Sequence, residues 1–203
     1  MPDVTRSCIY FAHPGKRNTD AVVQAVIERL RVGDLETVVV ASTTGHTALR
    51  LSEGLERAGL AGITLISVGE TPLVKEWGPA EWPLLKPEAK QALEARGVIV
   101  ADRIPYLLHS SVLDSSPWQA PSAEEILRET LYAFGQGMKV AVEVTLIAVA
   151  SGFLEPYQDV IALGGTSRGA DTAIVLRATF PNHVFSQDAA KRLRIREVLC
   201  KPA

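Results

Sequence analysis

The feature that most constrains this chain is an alternation. Short runs of β-branched residues take turns with stretches whose apolar residues recur at three- and four-residue steps. Thr37–Ala41 reads Thr-Val-Val-Val-Ala, apolar on both faces as in a strand covered on both sides. The segment after it, Gly45 to Ala58, places Ala48, Leu51, Leu55 and Ala58 on one helical stripe. Asn18 to Arg31 repeats the pattern with Val22, Val26 and Leu30, flanked by Val23 and Ile27, and Asn18 or Thr19 is its expected N-cap. Such alternation is the mark of βαβ units. The expected fold is α/β: three layers, a mostly parallel sheet with helices on both faces, and one antiparallel strand pair at the end.

Further strands are expected at Ser7 to Ala12, Ile63 to Val68, Val98 to Ala101, Asp159 to Leu163, Thr172 to Leu176 and Ile195 to Cys200. A short helix is expected at Pro87 to Arg96. Ser122 with Glu125 forms a capping box that opens another, carrying Ile126, Leu127, Leu131 and Phe134. A glycine hinge at Gly135 to Gly137 leads into a nearly all-apolar helix from about Met138 to Ser151. Residues 1–203 are read as one α/β domain with an elaborated insertion at about 69–121. The stretch from Thr71 to Pro121 holds seven of the twelve prolines and all three tryptophans, Trp77, Trp82 and Trp118. Two roles are open for it: a lid over a site, or tryptophans packing it onto the sheet.

Charge and length exclude several classes. Hydrophobic residues make up 47% of the 203, ample for a packed core, and the formal net charge of -2 offers no basic footprint for nucleic acid and no polybasic anchor for a membrane. The longest apolar stretch, Val140 to Ala150, is about 11 residues against the roughly 20 needed to cross a bilayer. The start of the chain is polar, with no targeting segment, which points to the cytoplasm. Cys8 and Cys200 have neither disulfide nor zinc spacing and read as reduced thiols in strands. No metal is expected, since no histidine pair among His13, His46, His109 and His183 has ligand spacing.

In a parallel sheet the strand-to-helix loops gather at the carboxyl edge, where helix N-termini face one crevice. Ser42, Thr43, Thr44, Gly45, His46 and Thr47 supply hydroxyls, a glycine and the first N–H groups of a helix, a cradle for a phosphate unless the hydroxyls merely cap that helix. Walker and dinucleotide fingerprints are absent. A second loop, Gly164, Gly165, Thr166, Ser167, Arg168, Gly169, Ala170 and Asp171, is either a plain hairpin or a clamp. In a clamp Arg168 forks onto phosphate and Asp171 accepts from sugar or ring groups. A third, Phe11 to Thr19, brings Lys16 beside Asn18, either as a phosphate partner or as a solvated surface side chain. Glu143 is a charge in an apolar helix: it pairs with Lys139 one turn back, or it faces the crevice.

Four motifs occur in order: Tyr10-Phe11 with Pro14-Gly15-Lys16-x-Asn18-Thr19; Val40-Ala41-Ser42-Thr43-Thr44-Gly45-x-Thr47-Ala48; Gly137-x-Lys139-Val140-x-Val142-Glu143; and Gly164-Gly165-Thr166-x-x-Gly169-Ala170-Asp171-Thr172-Ala173. Together they resemble the pyruvate kinase α/β domain-like family of small stand-alone proteins and, more distantly, the C-terminal regulatory domain of pyruvate kinase. The resemblance runs from about Tyr10 to Pro202. It implies that Ser42, Thr43, Thr44, Gly45 and Thr47 are a phosphate loop and that 164–172 is a second clamp. It also implies flavin mononucleotide (FMN) as a cofactor, and no phosphoryl transfer from phosphoenolpyruvate, because the kinase's catalytic barrel has no counterpart.

The leading expectation is a module that binds a phosphorylated small molecule, FMN or a sugar-phosphate-like metabolite. The alternative is an enzyme acting on such a compound, with His46 and Glu143 as acid and base. A third is a homo-oligomer whose apolar helix surfaces serve assembly.

Overall fold

The computed structural model describes residues 3–71, 83–108 and 121–203, and all that follows concerns them. The alternation in the sequence becomes a sheet of seven strands: β1 (Ile9–Phe11), β2 (Thr37–Ala41), β3 (Thr64–Val68), β4 (Ile99–Ala101), β5 (Asp159–Gly164), β6 (Thr172–Arg177) and β7 (Arg194–Pro202). Five α-helices complete it: α1 (Thr19–Leu30), α2 (His46–Arg57), α3 (Pro87–Glu94), α4 (Ala123–Tyr132) and α5 (Gln136–Ala150). The strand order is β1-β7-β6-β5-β2-β3-β4.

Side chains alternate across each strand, so one strand feeds two cores. Val38 and Val40 pack with α1, α2 and α3 on one face, while Val39 packs with α5 on the other. That division makes the three layers. α5 is buried along nearly its whole length, from Gly137 to Val149, which is why its sequence shows no polar face.

Six strands are mutually parallel and β6 alone is reversed. Because β6 lies inside the sheet rather than at its edge, it forms two antiparallel ladders, with β5 and with β7, where one pair was expected. Part of the 69–121 insertion belongs to the layers: α3 covers α2, and β4 extends the sheet beside β3. Trp77, Trp82, Trp118 and His109, and with them the lid expectation, lie outside the described residues.

Two local expectations change. Asn18 holds the N-cap position of α1, but its amide donates to the His13 carbonyl at 2.8 Å instead of capping. Helix α5 starts two residues before Met138, so Gly137 is helical and only Gly135, at φ 118°, makes the turn. The capping box of α4 forms in full: Ser122 Oγ accepts from the Glu125 N–H at 3.2 Å and the Glu125 carboxylate accepts from the Ser122 N–H at 2.8 Å.

Both cysteines are free. Cys200 sits in β7, where burial pushes its thiol up to about 12. Cys8 precedes β1 and is only partly buried, contrary to the strand placement expected for it, because the strand begins one residue later. Thiol reactivity follows the thiolate, so an alkylating reagent at neutral pH should modify one thiol in the native protein, at Cys8. The second should react only after unfolding; rapid native labelling at Cys200 in a peptide map would contradict its burial.

Candidate functional site

From β2 the chain moves on to β3, toward one edge of the sheet, and from β5 it turns by a hairpin into β6, toward the other edge. The carboxyl ends of neighbouring β2 and β5 therefore mark a switch point, where a crevice must open. A cavity of about 810 Å³ lies there, within the size range of small-molecule sites. Among its described walls are the 42–47 loop after β2, Gly69 and Glu70 after β3, the 165–169 loop after β5, Lys16 after β1, and Lys139, Val140 and Glu143 from α5.

Of the residues singled out in the sequence, Lys16, Ser42, Thr43, Thr44, His46, Thr47, Glu143, Gly165, Arg168 and Gly169 line this cavity. Asn18, Gly45, Gly164, Thr166 and Asp171 are not among its walls, and each has other work. Gly45 sits at φ 84° before α2, and a Cβ there would stand 3.0 Å from Leu85 Cδ1 and 3.4 Å from Leu93 Cδ1. Its small size thus serves packing against the α3 side, not approach to a ligand. Ser42 Oγ accepts from the Ala48 N–H at 3.2 Å, so this hydroxyl caps α2 from within the loop. The first-turn N–H groups of His46 and Thr47 have no carbonyl one turn earlier and remain at the cavity edge.

Asp171 was expected to meet a ligand. It is instead fully buried: Oδ2 accepts from the N–H groups of Gly15 at 2.8 Å and Thr166 at 3.0 Å, and Oδ1 accepts from the Thr172 hydroxyl at 2.9 Å. Thr19 adds a second tie, donating to the Lys16 carbonyl at 2.8 Å and accepting from the Ala170 N–H at 3.1 Å. Together they fasten the Lys16 loop to the glycine-rich loop. Gly169, at φ 72°, lets the two backbones meet, since a Cβ there would lie 2.7 Å from Lys16 Cα. Lys16 and Arg168, far apart in sequence, are thereby brought to one side of the cavity; both are exposed.

The inner wall is more buried. Lys139 Nζ donates to Glu143 Oε2 at 2.6 Å, with 2% and 5% of the two side chains exposed, and Glu143 Oε1 accepts from the Leu108 N–H at 2.7 Å. Both expectations for Glu143 hold in geometry, since it pairs with Lys139 and also borders the cavity. With each carboxylate oxygen already accepting, the geometry offers no support for Glu143 as an acid or base across from His46.

Tyr106, Tyr132 and Glu70 also line the cavity and were not anticipated. Burial raises all three above their ordinary ranges; the Glu70 and Glu143 carboxylates add to the rise at Tyr106, and Glu143 to that at Tyr132. No signal in the sequence marked these positions, which follow a strand or lie in the irregular insertion and at a helix end. Among the described residues, no three or more His, Cys, Asp and Glu side chains converge as a metal site would require, and no helix is long and apolar enough to cross a membrane.

No protein-family model matches the chain. Among solved structures it is similar to a pyruvate kinase from Cryptosporidium parvum at 17% identity and a TM-score of 0.38, over 79% of this chain and 22% of that one. It is also similar to the Cryptosporidium parvum pyruvate kinase in complex with ADP, at 16% identity and a TM-score of 0.41, over 79% and 23%. The chain thus spans less than a quarter of the length of these kinases. Function has to be read from the site and not from that likeness.

Proposed function

We propose that the cavity binds a phosphorylated small molecule, with its phosphate at the N-terminus of α2 between Lys16 and Arg168. One observation carries this: three loops distant in sequence place two cations, the Thr43, Thr44 and Thr47 side chains and the first N–H groups of a twelve-residue helix around one cavity of ligand size. FMN, which the family resemblance implies, is the first specific ligand to try, and the cavity's volume leaves room for a ring system.

Isothermal titration with inorganic phosphate and with FMN tests the reading. A charge-assisted hydrogen bond contributes about 1.5–3 kcal/mol, so Lys16→Ala and Arg168→Ala should each weaken phosphate binding about tenfold or more. Unchanged phosphate affinity in both variants, or none in the parent protein, would remove the proposal. Native mass spectrometry of protein purified without additives should find a phosphorylated compound retained.

A further inference from the structure

The cavity is electrically lopsided. Lys16 and Arg168 stand on the β5 side, whereas Glu70 follows β3 on the other side of β2. Between them Lys139 and Glu143 neutralise each other in a direct ion pair.

Glu70 has no such relief. Its Oε2 is shielded from solvent and has no hydrogen-bond partner among the described residues. A shielded carboxylate oxygen that accepts nothing carries an unrecovered desolvation cost, and proteins seldom leave one without use. Burial raises its pKa, as expected for a carboxylate waiting for a partner. The charge balance points the same way. The described lining carries three cations, Lys16, Lys139 and Arg168, against two carboxylates, Glu70 and Glu143, a net of one positive charge with His46 neutral. A phosphate monoester near −2 overshoots that balance, and one that also carries a cation meets it.

We infer that the ligand is a phosphomonoester bearing an ammonium group at the end away from its phosphate, and that Glu70 is the residue that selects for this group by accepting its hydrogen bond. The inference rests on the phosphate reading above and adds the chemistry of the ligand's far end.

The test uses a matched pair of probes, 6-aminohexyl phosphate and n-hexyl phosphate, alongside inorganic phosphate, titrated into the full chain and into Glu70→Gln. The parent protein should bind the amino probe about tenfold more tightly than the alkyl one. Glu70→Gln should bring the two within about twofold without lowering inorganic phosphate affinity, and its thermal midpoint should not fall. Equal affinity for the two probes in the parent protein, or a preference that survives in Glu70→Gln, overturns the role of Glu70 even where phosphate itself binds. Absence of any phosphate binding overturns the phosphate reading and this inference with it.

Discussion

Lys139→Met is expected to destabilise the protein by about 3–5 kcal/mol, measured by denaturant unfolding at neutral pH. An exposed Lys and Glu at this i, i+4 spacing would contribute only about 0.3–0.5 kcal/mol, and in this order less than in the reverse one. Burial changes the scale: with 2% and 5% of the side chains exposed, loss of the ammonium leaves a buried carboxylate without its counter-charge. Desolvation of the intact pair works against its Coulomb attraction, so the pair itself is a small net contributor. The double variant Lys139→Met, Glu143→Gln should therefore recover most of the loss. Glutamine suits the second site better than leucine because its carbonyl oxygen can still accept the Leu108 N–H that Glu143 Oε1 now takes at 2.7 Å. The double-mutant cycle should yield a coupling of about 2 kcal/mol or more. Additive losses would show that the two charges do not depend on each other.

The layers were legible because period and composition report burial directly. The valine run of β2 could only be a strand covered on both faces, and the stripe of α2 could only be a helix covered on one. What periodicity does not encode is strand order. The antiparallel pairing of β5 and β6 is foreshadowed by the short glycine-rich loop between them, but that β7 also runs antiparallel beside β6 is not, because a strand buried on both faces reads alike in either direction. The place of β6 between β5 and β7, which doubles the antiparallel ladders, is set by tertiary packing alone.

Loop chemistry and position pointed to 42–47 and 165–169, which border the cavity, but could not show where a polar residue is spent inside the protein. Asp171 resembles a ligand acceptor in every sequence-level respect. Only the fold reveals that the N–H groups of Gly15 and Thr166 already meet its carboxylate. Ser42 is the same case on a smaller scale, its hydroxyl turned to the Ala48 N–H. Glu70 is the reverse: nothing around it in sequence suggests a role, and its interest comes from the oxygen that the fold leaves without a partner.

Gly164→Ala is expected to cost about 3 kcal/mol or more, and Gly137→Ala about 2–3 kcal/mol, because the N-terminus of α5 meets the end of β5 backbone to backbone. A Cβ on Gly164 would collide with the Gly137 carbonyl oxygen and stand 2.7 Å from the Ala141 nitrogen. Neither atom can rotate away, since both belong to the first turns of the helix. A Cβ on Gly137 would collide with the Thr172 hydroxyl and lie 2.5 Å from Asp171 Oδ1. These are side-chain atoms, yet they are tied down: moving Asp171 breaks its bonds to Gly15, Thr166 and Thr172, each contributing about 1 kcal/mol. Alanine's advantage over glycine within a helix, about 0.5–1 kcal/mol, acts in the opposite direction and is too small to decide the sign. Gly69→Ala separates steric collision from a general effect of replacing glycine near the cavity. Its φ is not in the left-handed region, its nearest neighbour would be an ordinary 3.5 Å away, and its stability should stay within about 0.5 kcal/mol of the parent. Gly137→Ala has a second consequence. Displacing Asp171 loosens the tie between the Lys16 and Arg168 loops, so phosphate affinity should fall in that variant under conditions where it is still folded. A Gly137→Ala protein with full stability would mean that α5 can shift off β5, and the tie through Asp171 would then not be what holds the two cations together.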